Sequence, residues 1–157
     1  MKYTRLSKEQ FESLQKEFAL FLASQSIDKI RWDQIKAKNY RLTEELLDLF
    51  SDLVWDQSLE KITYLENRSD HHLFLFKCEG AQIDLILIRI EDNCPSLMQK
   101  DYKNWLKKHL SDPRVTIFES SRSFKETSKE EKFNLMSNGA SLSDGKTFED
   151  LKSFLSK

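Results

Sequence analysis

Apolar residues over the first 25 positions recur at intervals of three and four. Phe11, Leu14, Phe18, Phe21 and Leu22 fall on one stripe of a helix. Ser7, with Gln10 three residues on, supplies a capping box to start it. Ser26 or Asp28 caps a second, shorter helix carrying Ile30, Trp32 and Ile35. A third begins at Thr43, with Leu46, Leu47, Phe50, Leu53 and Val54 on its core side. The period then changes. Residues 62–66, 72–78 and 82–90 are short runs rich in branched and aromatic side chains, which predicts three strands. The turns between them, Asn67-Arg68-Ser69-Asp70 and Glu79-Gly80, are too short for parallel crossovers, so the strands form an antiparallel meander. Leu85-Ile86-Leu87-Ile88 is apolar on both faces and predicts a central strand covered by helices on both sides.

Pro95 and Ser96 introduce a fourth helix reaching about Leu110, with Met98, Tyr102, Trp105 and Leu106 on one face and Asp112-Pro113 as its stop. Residues 115–119 read as a fourth strand and 120–128 as a polar connector. Residues 129–138 and 147–155 read as closing helices, with Gly139 ending the first. The order α-α-α-β-β-β-α-β-α-α describes an α+β fold, an antiparallel meander sheet of about four strands covered by helices. It predicts a single domain over residues 1–157, with 1–42 as an N-terminal helical layer and 129–157 as a C-terminal helical pair.

Charge and composition narrow the function classes. The chain has 25 Lys+Arg against 26 Asp+Glu, a net charge of −1, so no broad field favours nucleic acid or an anionic membrane. Three glycines leave little material for a phosphate-cradling loop. Ala140-Ser141-Leu142-Ser143-Asp144-Gly145-Lys146-Thr147 fits a relaxed Walker A string, but the segment before it reads as helix, where a nucleotide loop needs a buried strand. The string is therefore a helix start, capped by Asp144 or Ser143 with Gly145 in the turn. No apolar h-region follows Met1 and no stretch approaches a membrane span, so neither signal peptide nor membrane contact is expected. Cys78 and Cys94 then read as free thiols in a cytoplasmic protein.

Candidate chemistry is sparse. Glu44, Asp48, Asp52, Asp56 and Glu60 stand at successive four-residue steps on the third helix, with Trp55 and Leu59 in the same sector. Like charges at that spacing cost roughly 0.2–0.5 kcal/mol per pair in an isolated helix. Asp48, Asp52, Trp55, Asp56 and Leu59 therefore form a candidate binding patch for a partly basic protein partner or a second copy of the chain. The plainer reading is that Trp55 and Leu59 touch another element of the same chain. His71 and His72 point to opposite faces of a strand, and His109 sits at a helix end, so no zinc ligand set arises. No cofactor or metal is expected.

Two other readings stand beside this one. The order helix, three strands, helix, strand resembles the core of the PD-(D/E)xK nucleases. Gln82-Ile83-Asp84-Leu85-Ile86 is similar to their metal-binding aspartate strand. Glu119 fits the following E-x-K unit, but Ser121 stands where its lysine belongs, so Asp84 and Glu119 are the catalytic candidates of a metal-dependent or degenerate nuclease. Lys100, Lys103, Lys107 and Lys108 on the fourth helix give a modest case for nucleic-acid binding, and otherwise form a solvated face.

Met1-Lys2-Tyr3-Thr4-Arg5-Leu6-Ser7-Lys8-Glu9-Gln10-Phe11, Leu49-Phe50-Ser51-Asp52-Leu53-Val54-Trp55 and Phe74-Leu75-Phe76 resemble a small bacterial family of unknown function over most of the chain. Some of its members carry an automatic histidyl-tRNA synthetase label, for which this sequence has no motif arginines or histidine-binding signature. The resemblance implies a bacterial cytoplasmic protein of unknown function and assigns no site residue. The sequence as a whole favours a non-catalytic protein acting through protein–protein contacts.

Overall fold

The computed structural model describes residues 1–157. They divide into two compact units, Met1–Glu60 and Lys61–Lys157.

The first unit is helical. Ser7 starts α1 (Lys8–Ser13) through the expected reciprocal cap, its hydroxyl accepting from the Gln10 N–H while the Gln10 side-chain oxygen accepts from the Ser7 N–H. The stripe read as one helix is two, because the backbone breaks at Leu14 (φ −111°, ψ 26°) before α2 (Gln15–Ser24). Asp28 is the cap of α3 (Lys29–Lys38), its carboxylate accepting from the Arg31 N–H at 2.7 Å. Ser26 instead makes the bend before it, at φ 60°. α4 (Tyr40–Glu60) begins three residues ahead of Thr43, since Asn39 Oδ1 accepts from the Leu42 N–H at 3.1 Å.

Leu6, Phe21, Leu22, Leu46 and Phe50 are the buried centre of this unit, with Phe11, Leu14, Phe18, Trp32, Val54 and Trp55 packed around them. Phe18 meets the Phe50 ring edge-on at 5.0 Å and the Trp32 ring at 5.3 Å. Ile30 and Leu53, placed on the core side by their spacing, are 71% and 41% exposed. The core row of α4 is Leu46, Phe50 and Val54. It turns about 40° for every four residues, so by Leu53 the contact has moved round the helix.

The second unit is built on one antiparallel sheet in the order β4-β3-β2-β1-β5. β1 (Tyr64–Arg68), β2 (His72–Glu79) and β3 (Gln82–Ile90) form the expected meander, and β4 (Val115–Ser123) pairs with β3 along its whole length. β5 (Ser141–Leu142) adds a short edge strand beside β1 that no side-chain pattern announces. Register sets Leu73 beside Ile88 and Leu75 beside Ile86 on one face. That face closes over Tyr102 and Leu106 of α5 (Tyr102–Lys108) and Phe148 and Leu151 of α7 (Lys146–Leu155). On the other face Leu85 and Leu87 are only partly buried and Phe118 is 44% exposed. Full burial of β3 thus holds for one of its two faces.

α5 is shorter than its spacing suggested. Residues ahead of it are held by the turn before β2, where the Leu97 N–H donates to Asp70 O at 2.9 Å and the Ser96 hydroxyl to Asp70 Oδ1 at 2.5 Å. Met98 consequently lies 54% exposed. α6 (Ser128–Ser137) starts at the Thr127 cap. Gly145, at φ 81°, turns the chain into α7, and a Cβ there would lie 2.4 Å from the Tyr64 ring. No helix is long and apolar enough to cross a membrane.

Candidate functional site

The acidic row of α4 holds an extended segment of the same chain. Residues 2–6 run antiparallel to the helix. The Lys2 and Tyr3 N–H groups donate to the two carboxylate oxygens of Asp52, at 2.8 and 3.1 Å. The Tyr3 hydroxyl donates to Asp56 at 2.6 Å, with Lys2 Nζ 3.7 Å from the same carboxylate. Arg5 donates through Nε and Nη2 to Asp48, at 2.8 and 2.6 Å, and its Nη1 pairs with Glu44. The Trp55 indole N–H donates to the Thr4 carbonyl at 3.0 Å, and its ring lies 6.3 Å from that of Tyr3.

Two periodicities meet here. An extended chain advances about 6.6 Å per two residues, and a helix about 6 Å per four. Tyr3 and Arg5, one such step apart on the segment, splay outward to Asp56 and Asp48, two steps apart on the row, and Asp52 between them takes the main-chain N–H groups of Lys2 and Tyr3. Cations and donors between neighbouring acids offset the repulsion that the row would carry alone. The two carboxylates raise the pKa of Arg5, the hydrogen bond to Asp48 most of all. The pairs are about one-third exposed, so each contributes on the order of 0.2–1 kcal/mol.

Ser51 is the member that sequence reasoning missed. It is fully buried, donates to the Leu47 carbonyl at 2.8 Å and accepts the Leu6 N–H at 3.1 Å. This bond and the burial of Leu6 anchor the end of the segment nearest α1. Lys2, Tyr3 and Arg5 were equally unforeseen as ligands of the row. Their signal in the sequence is a basic pair three residues apart, separated by some forty residues from the acids it meets. Of the expected patch, Asp48, Asp52, Trp55 and Asp56 gather along the segment. Leu59 is fully buried and so is not a surface residue, and Glu60 lies exposed beyond the segment.

The nuclease candidates lie on one face of the sheet. Asp84 pairs in register with Ser121, and Glu119 with Ile86 one step along. Both line a shallow pocket of about 230 Å3 together with Phe148 and Lys152. Each is already engaged. The Ser121 hydroxyl donates to Asp84 at 2.5 Å, and Lys152 donates to Glu119 at 2.9 Å. Ser121, at the position a catalytic lysine would take, ties down the aspartate instead. No group of three or more His, Cys, Asp and Glu side chains is placed to hold a metal ion.

The remaining candidates are accounted for locally. His109 Nδ1 is 2.6 Å from the Trp105 carbonyl, and its ring stacks on that indole at 4.3 Å. His72 stacks on Phe74, while His71 lies 3.5 Å from Asp92. In the Walker-like string the Gly145 N–H donates to Ser143 and the Lys146 N–H to Asp144, so side chains of the same loop occupy amides that a phosphate would need. Lys103, Lys107 and Lys108 are exposed on α5, with Lys100 ahead of it. Cys78 and Cys94 are free and buried. Burial pushes the Cys78 thiol up to about 11.

A model of a family of unknown function, DUF6495, matches residues 1–156, and the chain belongs to that family. No curated protein and no solved structure matches the chain.

Proposed function

We propose that this member of the family works through protein–protein contacts, with the acidic row of α4 as a recognition surface for an extended basic segment. The observation that carries this reading is the segment seated on it. Residues 2–6 define the chemistry the row selects: main-chain N–H groups on Asp52, a phenol on Asp56, a guanidinium across Asp48 and Glu44, and a carbonyl for Trp55. A second copy of the chain carries that same segment. Reciprocal exchange of residues 2–6 would then give a homodimer with identical contacts, and a different partner would need the same alternation of basic and aromatic residues. Two free, buried cysteines favour a reducing compartment such as the cytoplasm for this contact.

Complementary charge reversals test the exchange. The Arg5→Asp chain keeps an intact row but presents a repelling segment. The Asp48→Arg chain keeps an intact segment but has a spoiled row. Neither should self-associate by exchange, whereas an equimolar mixture should sediment as a 1:1 heterodimer. A mixture that stays monomeric at 100 µM excludes the dimer.

A further inference from the structure

The unit Lys61–Lys157 contains a pocket that the α4 reading does not use. It opens between α5 and α7 with a volume of about 410 Å3. Its floor is Leu106 and Leu151, 3% and 4% exposed, with half-buried Leu110 beside them. Lys103 and Lys107, one helical turn apart on α5, and Lys146 on the first turn of α7 stand on its rim, with Asp150 as the only acid. Lys77 is paired with Glu79 and Glu149 and Lys152 with Glu119, whereas no carboxylate is paired with Lys103, Lys107 or Lys146. Three cations against one acid around a single opening repel one another, and a bound anion removes that cost. Asp144 takes the Lys146 N–H, the first of α7, and Ser143 the Gly145 N–H ahead of it, and the positive charge at the rim is that of the ammonium groups. The volume lies within the range of small-molecule sites, which pair an apolar lining with a few polar groups that orient the ligand.

We propose that this pocket binds a small amphipathic anion. An apolar or aromatic body rests on Leu106, Leu110 and Leu151, and a carboxylate, sulfonate or phosphate reaches the lysine rim. An anion without an apolar body would leave the leucine floor in water. An apolar molecule without charge would leave the lysines unrelieved.

The full chain at 0.15 M salt is titrated with 1-anilinonaphthalene-8-sulfonate and then with dodecanoate. The expected result is saturable one-site binding of the dye, its displacement by dodecanoate, and no displacement by pyrophosphate at the same concentration. Methyl resonances of Leu110 and Leu151 should shift on binding. Lys103→Glu combined with Lys146→Glu should weaken binding at least tenfold with unchanged thermal unfolding, since both positions are exposed and an acid suits the first turns of α5 and α7. If that variant misfolds, Lys107→Gln with Lys146→Gln should still weaken binding at least threefold. Affinity unchanged in the folded variants, or pyrophosphate displacing the dye as well as dodecanoate does, overturns the proposal. So does binding to phosphatidylglycerol vesicles without binding of the monomeric anions.

Discussion

Trp55 serves two sides of α4 at once. Its ring packs against the cluster around Phe50, and its N–H holds the Thr4 carbonyl. The two contributions separate by substitution. Trp55→Phe keeps a ring and loses the donor, which should cost about 1 kcal/mol in denaturant unfolding. Trp55→Ala also loses the packing and should cost about 2–4 kcal/mol. If the two variants were equally stable, the indole ring would have no packing role. Gly145 is a second position where one atom decides the outcome. Ala there must adopt φ 81° and displace the Tyr64 ring, whose hydroxyl donates to Glu149 at 2.8 Å. Gly80, at φ 60°, has nothing within 4 Å of a Cβ. Gly80→Ala should therefore cost only the left-handed conformation, about 1–2 kcal/mol, and Gly145→Ala clearly more, as measured by thermal unfolding. Equal costs would mean that the Tyr64 ring yields freely. The sequence already placed Gly145 in a turn before a helix. That Tyr64, 81 residues away, packs on it could come only from the fold.

Elements were legible where local chemistry decides them. Ser7 with Gln10 is a cap that residue type and spacing alone disclose, and it is made as expected, while of the two candidates Ser26 and Asp28 it is Asp28 that caps α3. Ser7→Ala should cost about 1 kcal/mol by denaturant unfolding, with the loss confined to exchange protection in α1. A loss spread over α4 would mean that Ser7 matters for the seated segment instead. Elements were less legible where pairing decides them. β4 runs past its apolar residues to Ser123 because β3 offers it a partner as far as Gln82, and the polar residues 119–123 simply follow the ladder. β5 is two residues long and exists because Leu65 and Glu66 present an edge to Ser141 and Leu142. The helix expected from Pro95 lost its first turns to bonds with Asp70, a residue on another turn. The acidic row on α4 was visible in full, since it depends on one helix. Its occupant was not, because an extended strand of residues 2–6 has no periodicity of its own to announce where it will lie.

For the whole molecule, a net charge of −1 conceals local separation. Acids line one helix in the unit Met1–Glu60, and unpaired lysines surround a pocket in the unit Lys61–Lys157. Near-neutrality excluded a broad field and said nothing about such pairs of surfaces. The proposed recognition of an extended basic segment by the α4 row rests on the contacts made with residues 2–6. The most direct test is binding of a labelled peptide with the sequence of residues 1–7, followed by fluorescence anisotropy. In the wild-type chain the resident segment competes at the high effective concentration of a tethered ligand. In the Arg5→Asp chain that competitor is weakened while the row stays intact. The expected result is binding to the Arg5→Asp chain with a dissociation constant on the order of 10–100 µM. Binding should be at least tenfold weaker to wild type, and lost when Asp48→Arg is added. No binding to the Arg5→Asp chain, or binding that ignores Asp48→Arg, would mean that the row does not select this segment.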